Sequence, residues 1–527
     1  MGFESLYIGA TGMKTHGRGI ENLSNNLANV NTLGFKSTDV YFENLMSDYV
    51  TAGGNSTGLS QQGHGVGLAA IITNFAQGAP LPGADETDLA ITGKGFFKVI
   101  NDSTVRYTRA GNFRFNNEGY LVDPHGFRVQ GRRFAPPGSD LAGGDVTDIR
   151  MNIEEDANGY QYYTVDPVAT TSVSMSPNLG ESSDKTNVAA NPFFSLLSSW
   201  NSAAEKPLGE NAYSLANSIK IYDEDGTPHE LTVYFDSVGL NGSGGESYYE
   251  YVVGIDPDQD GRAGMSGADA AGLLMAGTLT FSPSGQLEDM SAYTIASGAS
   301  GGLDLASWAP AALSADGYPT FDVAFVASNA STATQTVSLN LGMYAESAGW
   351  SSTAAANSVG SNASNLNGMV QGSRGAFAST HYPGATSIMY QDQNGYARGY
   401  LQSVNVDQNG VIAGQYSNGL NAELYQVTLY TFTSPYGLYR EGNNHFSAND
   451  SSGEAIEGSP GDYNAVAATS DELLGLGTIQ SNAIEASNVD MAEEFATMIV
   501  TERGFQANSK VITTTDTLLQ QAIQMKR

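Results

Sequence analysis

Apolar residues recur at a strict interval of seven at both ends of this chain, and few arrangements can bury two such rows at once. Near the C-terminus the row is Ile484, Met491, Met498, Phe505, Ile512 and Leu519, with Phe495, Ile499 and Ile523 widening the face. No proline interrupts it, and Gly504 lowers helix stability only locally. Ser487 and Asn488, with Asp490 just after them, offer a cap and an acidic first turn. Residues 482–527 therefore predict one long amphipathic helix, roughly 60 Å at the usual rise per residue. Near the N-terminus Leu6, Met13, Ile20 and Leu27 form a second row, extended by Leu23 and Val30. One row alone would suit a core helix of an ordinary domain. Two matching rows predict that the termini, 1–30 and 482–527, pair as a coiled coil with everything between them looped out.

The intervening sequence is of a different kind. A chain of 527 residues exceeds what one core serves, so several domains are expected. Its 62 glycines and abundant Ser, Thr and Asn suit short strands joined by tight turns, which makes the fold class α+β. The formal net charge is −32, which repels phosphate and anionic lipid and argues against nucleic acid as a partner. Cysteine is absent, so neither disulfides nor thiolate metal sites contribute. Met1 to Ala10 lacks the basic and apolar regions of a cleaved signal, and no apolar run is long enough for a membrane span. By these rules alone the protein would be cytoplasmic.

In chain order, the first helix gives way between Asn29 and Phe35, with Gly34 at its end. The run from Asn22 through Asn26, Asn29, Asn31, Thr32, Gly34 and Phe35 to Lys36 resembles the N-terminal signature of bacterial flagellar rod and hook proteins. Its small and amide side chains would let neighbouring helices approach and exchange hydrogen bonds. Residues 31–77 read as a connecting arm, and 463–481 as its counterpart before the last helix. Leu89–Val99, Tyr107–Phe113 and Gly119–Val122 alternate apolar and polar positions between glycine turns, as an antiparallel sheet would, and resemble the same family's second block. Gly93-x-Gly95 lacks the spacing of a phosphate loop and reads as a turn.

Composition then shifts towards Ser, Ala and Gly over 165–368, which marks an inserted outer β region roomy enough for two subdomains. A hairpin around Asp223-Glu224-Asp225-Gly226, then Leu279-Thr280-Phe281, then Val337 to Gly342, resembles the outer domain of hook proteins, which rod proteins lack. The flanks, 78–164 and 369–462, are expected to fold together as an inner β domain. The C-terminal run Glu485 to Met491, with Ser487, Asn488, Val489 and Asp490, and then Arg503 and Asn508, resembles the C-terminal signature of flagellar axial proteins.

Candidate chemistry is sparse. Asp256, Asp258 and Asp260 alternate as in the first half of a calcium loop, but Gly267 stands where the bidentate Glu belongs, and a solvated acidic turn fits better. Gly298-Ala299-Ser300-Gly301-Gly302 matches a hydrolase elbow in form but has no strand leading into it. The six histidines show no ligand spacing. No catalytic residue and no cofactor is expected. The resemblance implies a non-enzymatic hook subunit whose main partner is itself in a helical polymer, a flexible curved joint carrying motor torque from rod to filament. It further implies contacts with distal rod, hook cap, hook-filament junction and export apparatus, and an extracellular location reached without a cleaved signal. A calcium-dependent surface adhesin is the alternative from another class.

Overall fold

The computed structural model describes residues 2–49, 61–134, 144–155, 159–180, 186, 188, 190–242, 244–296, 301–326, 333–347, 349–461 and 475–525. Most of the expected arm at 463–474, and Gly298 to Ser300 of the elbow-like match, lie outside them. The chain divides into two compact units, one made of 1–164, 401–416 and 421–527, the other of 165–400 and 417–420.

In the first unit the N-terminal helix, Gly2–Ala28, and the C-terminal helix, Met491–Met525, lie against each other. The C-terminal helix is shorter than its apolar row. Asp490, rather than Ser487 or Asn488, caps it: its Oδ1 accepts from the backbone N–H of Ala492 at 2.8 Å and of Glu493 at 3.2 Å. Ile484 falls outside the helix, in the strand Ala483–Glu485, where it pairs with Leu81. Val30 likewise lies beyond the end of the first helix. The segment read as an unpatterned arm contains a hairpin, Thr38–Asn44 with Val66–Thr73, and both of its strands contact the N-terminal helix.

The unit's β part is organised around Arg128–Arg133. Along one edge this strand pairs first with Phe96–Asn101, with Val129 opposite Val99, and then with Asn421–Val427, with Gly131 opposite Val427, while its other edge takes Val146–Asp148. Strands from before and after the insert are therefore hydrogen-bonded neighbours. Their inward positions, among them Phe97, Val99, Val129, Ile412 and Val427, form one core. Thr478–Ser481, assigned from sequence to a connecting arm, instead pairs with Leu89–Thr92.

The second unit holds an antiparallel meander of six strands from Leu215 to Pro310 in sequence order. A four-stranded sheet joins Ser172–Asn178 to Gln335–Asn340 in parallel and to Ser387–Gln393 antiparallel. The last of these strands moves the end of the insert from the expected 368 to about 400. Alternation explains the meander's burial on both faces. Along Ser247–Gly254, Tyr249, Tyr251 and Val253 point into one core with Phe235 and Leu339, while Val252 points into another with Phe193, Trp200 and Trp308. The Asp223–Gly226 turn closes the first hairpin, with Gly226 at φ 78° and Thr227 N–H donating to Asp223 Oδ1 at 2.7 Å.

Candidate functional site: the terminal helix pair and its ionic junction

The two helices run antiparallel, and their closest approach is built on small residues. A Cβ placed on Gly9 would lie 3.0 Å from Ile512, one on Gly12 2.5 Å from the Asn508 amide, and one on Gly504 2.8 Å from the His16 ring. Thr15, Thr501 and Thr515 are buried beside these contacts, each hydroxyl returned to the carbonyl four residues back. The seven-spaced rows flank this seam. Leu6, Met13, Ile20, Leu23, Leu27, Met498, Phe505, Ile512 and Leu519 are half-buried. Met491, Phe495, Ile499 and Ile523 are exposed, as are Val500 and Leu518. Within one chain, then, glycine and threonine let the backbones approach, row residues enter the seam with them, Ile512 against Gly9 and Phe505 against Gly17, and much of the remaining apolar surface stays uncovered.

The N-terminal signature holds the first helix to the strand that follows. Asn26 Nδ2 donates to Thr38 O and to Glu494 Oε1, both at 2.9 Å, while its Oδ1 accepts from Thr38 N–H at 3.0 Å. Asn29 Nδ2 donates to Asn25 O at 2.8 Å, and Thr32 Oγ1 to Asn29 Oδ1 at 3.1 Å. Phe35 is buried beneath the Arg440 guanidinium. From the C-terminal signature, Asn488 Oδ1 accepts from Ser37 N–H at 2.7 Å, and its Nδ2 donates to Asn74 O and Ala76 O. Ser487 Oγ accepts from Val489 N–H, Val489 is buried, and Asn508 Nδ2 donates to Gly504 O. Asn31 and Arg503 are exposed. The amides expected to bridge neighbouring helices thus mainly clasp their own chain's backbone.

Lys36, Arg109 and Glu485, which sequence reasoning did not single out, meet where the three signature blocks converge. All three are at most 3% exposed. Lys36 Nζ donates to Glu485 Oε1 at 2.6 Å and to Ala76 O at 2.7 Å. Arg109 Nε stands 3.2 Å from Glu485 Oε2, an ion-pair contact without hydrogen-bond alignment. The rest of its guanidinium donates to the carbonyls of Gly93 and Gly95, so the Gly-x-Gly turn cradles an arginine rather than a phosphate. Gly78 N–H donates to Glu485 Oε1, and Gly34 N–H to Glu485 O, both at 2.8 Å. Gly34 sits at φ 66° with Ala110 N only 2.6 Å from where a Cβ would stand, so it serves this approach and not the helix end. Burial, and then Arg109, push the Lys36 ammonium below the usual lysine range, against the opposing pull of Glu485. The available signal was the placement of charges inside signature blocks of a chain with only 15% charged residues.

The calcium candidate does not assemble. Asp260 turns its carboxylate onto Arg262, at 2.7 Å, and onto Gly272 N–H, at 2.8 Å, while Asp256 caps a short turn through Asp258 N–H. Among the described helices none is long and apolar enough to cross a membrane.

Four family models match the chain. They are "Flagella basal body rod protein" at 6–36, "Flagellar hook protein FlgE/F/G D1 domain" at 90–168, "Flagellar basal body protein FlaE D2 domain" at 195–396, and "Flagellar basal body rod FlgEFG protein C-terminal" at 480–525. The flagellar hook protein FlgE of Borreliella burgdorferi is 29% identical, that of Treponema pallidum 28%, each aligned over 99% of both chains. The Escherichia coli FlgE is 27% identical over 98% of both. The adhesin alternative has no support among these relatives. The order of the four matches follows the order of the helix, inner β, outer β and helix regions described above, and the chain belongs to the bacterial flagellar hook protein family, as a structural hook subunit.

Proposed function

We propose that this subunit polymerises through its terminal helices, which pair as a coiled coil in the tube's inner layer while the two β regions lie outside it. The observation that carries this is the uncovered apolar side of the C-terminal helix. Phe495, Ile499, Val500 and Leu518 are 48–69% exposed on a helix whose other side is already occupied. Water-exposed apolar surface of this extent is unfavourable unless a neighbour covers it, and each fully covered side chain contributes about 1.5–3 kcal/mol. Neighbouring copies supply identical helices and so identical seams. The role is mechanical rather than catalytic: a curved, flexible tube carrying torque from rod to filament. Outside the cell, after export without a cleaved signal, the subunit would meet distal rod, hook cap and hook-filament junction proteins. Weak polar contacts between acidic β domains can slide as such a tube rotates, whereas the helical layer holds register.

The test is a pair of substitutions on the uncovered side, Ile499→Asp with Leu518→Asp, followed by sedimentation under polymerising conditions. Assembly is expected to be lost while monomer stability changes by no more than about 0.5 kcal/mol per site. Normal polymerisation of the double variant would remove this face from the assembly.

A further inference from the structure

We propose that Asp123, His125 and His445 form a site for a transition-metal ion of the zinc class, in the first unit. Among the described residues they are the group of three or more His, Asp or Glu side chains whose ligand atoms lie within 4.8 Å of one another. His445 Nε2 is 2.7 Å from Asp123 Oδ2, and His125 Nδ1 is 3.9 Å from that same oxygen. Two ligands of a tetrahedral zinc ion stand about 3.4 Å apart, from metal-ligand bonds near 2.0–2.1 Å. The two observed separations bracket that value, and all the ligand atoms lie within 4.8 Å of one another, so modest side-chain adjustment would seat the ion.

The carboxylate is already oriented for it. Asp123 Oδ1 accepts from the backbone N–H of His125 at 2.9 Å and of Phe127 at 2.8 Å, which leaves Oδ2 aimed at the two imidazoles. His445 is fixed from the other side, since its strand pairs with Thr108 and its ring packs on Phe127. Asp123 and His445 are buried, whereas the His125 side chain is 42% exposed. The exposed His125 imidazole borders solvent, which would supply a fourth ligand. Two imidazoles and one carboxylate favour zinc or a similar divalent metal over calcium or magnesium. The ion would take the place of the hydrogen bond that now joins His445 Nε2 to Asp123 Oδ2. It would tie the Asp123–Phe127 loop to a strand 322 residues away in sequence.

The experiment is a calorimetric titration of the full chain with ZnCl2, in a non-chelating buffer, beside the His125→Ala variant. His125 lies on an exposed loop, so this change avoids the folding risk of Asp123→Asn. One equivalent of zinc is expected, with an upward shift in thermal midpoint, and at least tenfold weaker binding in H125A. Co2+ in place of Zn2+ should give the visible absorption of a low-symmetry nitrogen-oxygen site in the wild type only. No saturable binding, or binding of equal strength in H125A as expected of adventitious ions on an acidic surface, would overturn the proposal.

Discussion

At Glu485 a single carboxylate answers two buried cations, Lys36 at 2.6 Å and Arg109 at 3.2 Å. Removing one partner of such a group strands charge away from water, at a cost of roughly 3–5 kcal/mol. Glu485→Gln is therefore expected to lower the unfolding free energy of the inner unit by that amount in urea titrations. A change below about 1 kcal/mol would mean that water reaches the junction. In the second unit, Glu250 stands opposite Asp236 on paired strands and is 1% exposed. Burial first, and Asp236 second among the raising influences, lift its carboxyl well above the ordinary range, against hydrogen bonds from Leu196 N–H and Thr186. A raised carboxyl pKa means that folding favours the protonated form, so its contribution is full below the unfolded-state value of about 4.3 and is lost as pH rises through the folded value. The unfolding midpoint should fall over that window, and Glu250→Gln should flatten the dependence; an unchanged slope in the variant would contradict this. Neither group was legible as a junction in the sequence. Lys36 and Glu485 are 449 residues apart, and no local period records such a pairing.

At the scale of elements, periodicity located both terminal helices but not the glycines at their closest approach. Heptad rows report where apolar side chains fall, and they say nothing of glycines that bring two backbones together. Here Gly9, Gly12 and Gly504 set the approach, with the apolar rows at its margins. Periodicity also ran past the helix start, because Ile484 keeps the seven-residue interval while its backbone pairs with Leu81 as a strand. The β elements were easier. Alternation and turn residues marked the Asp223–Gly226 hairpin and the Leu89–Val122 strands, but the hairpin at Thr38–Thr73 was hidden because most of its positions are exposed or half-buried. Gly12→Leu tests the glycine seam: its side chain must displace the Asn508 amide, itself held to Gly504 O. An overpacking loss of about 1–3 kcal/mol is expected, read as faster amide exchange across residues 498–515. Exchange as slow as in the wild type would show that the helices do not pack through these glycines.

For the whole molecule, the sequence order of signature, inner strands, insert, inner strands and signature carried the architecture. The end of the insert was legible only to within a few tens of residues, since the Ser387–Gln393 strand pairs with Ser172–Asn178 across the entire outer region. If the terminal helices make the polymer, the β units fold without them. Electron microscopy of the full chain under polymerising conditions, beside a variant lacking only the two helices, residues 1–28 and 491–527, tests it most directly. Tubes from the intact chain, with folded monomers from the truncated one, are the predicted result. Tubes formed without the helices, or folded monomers from both chains, would contradict it.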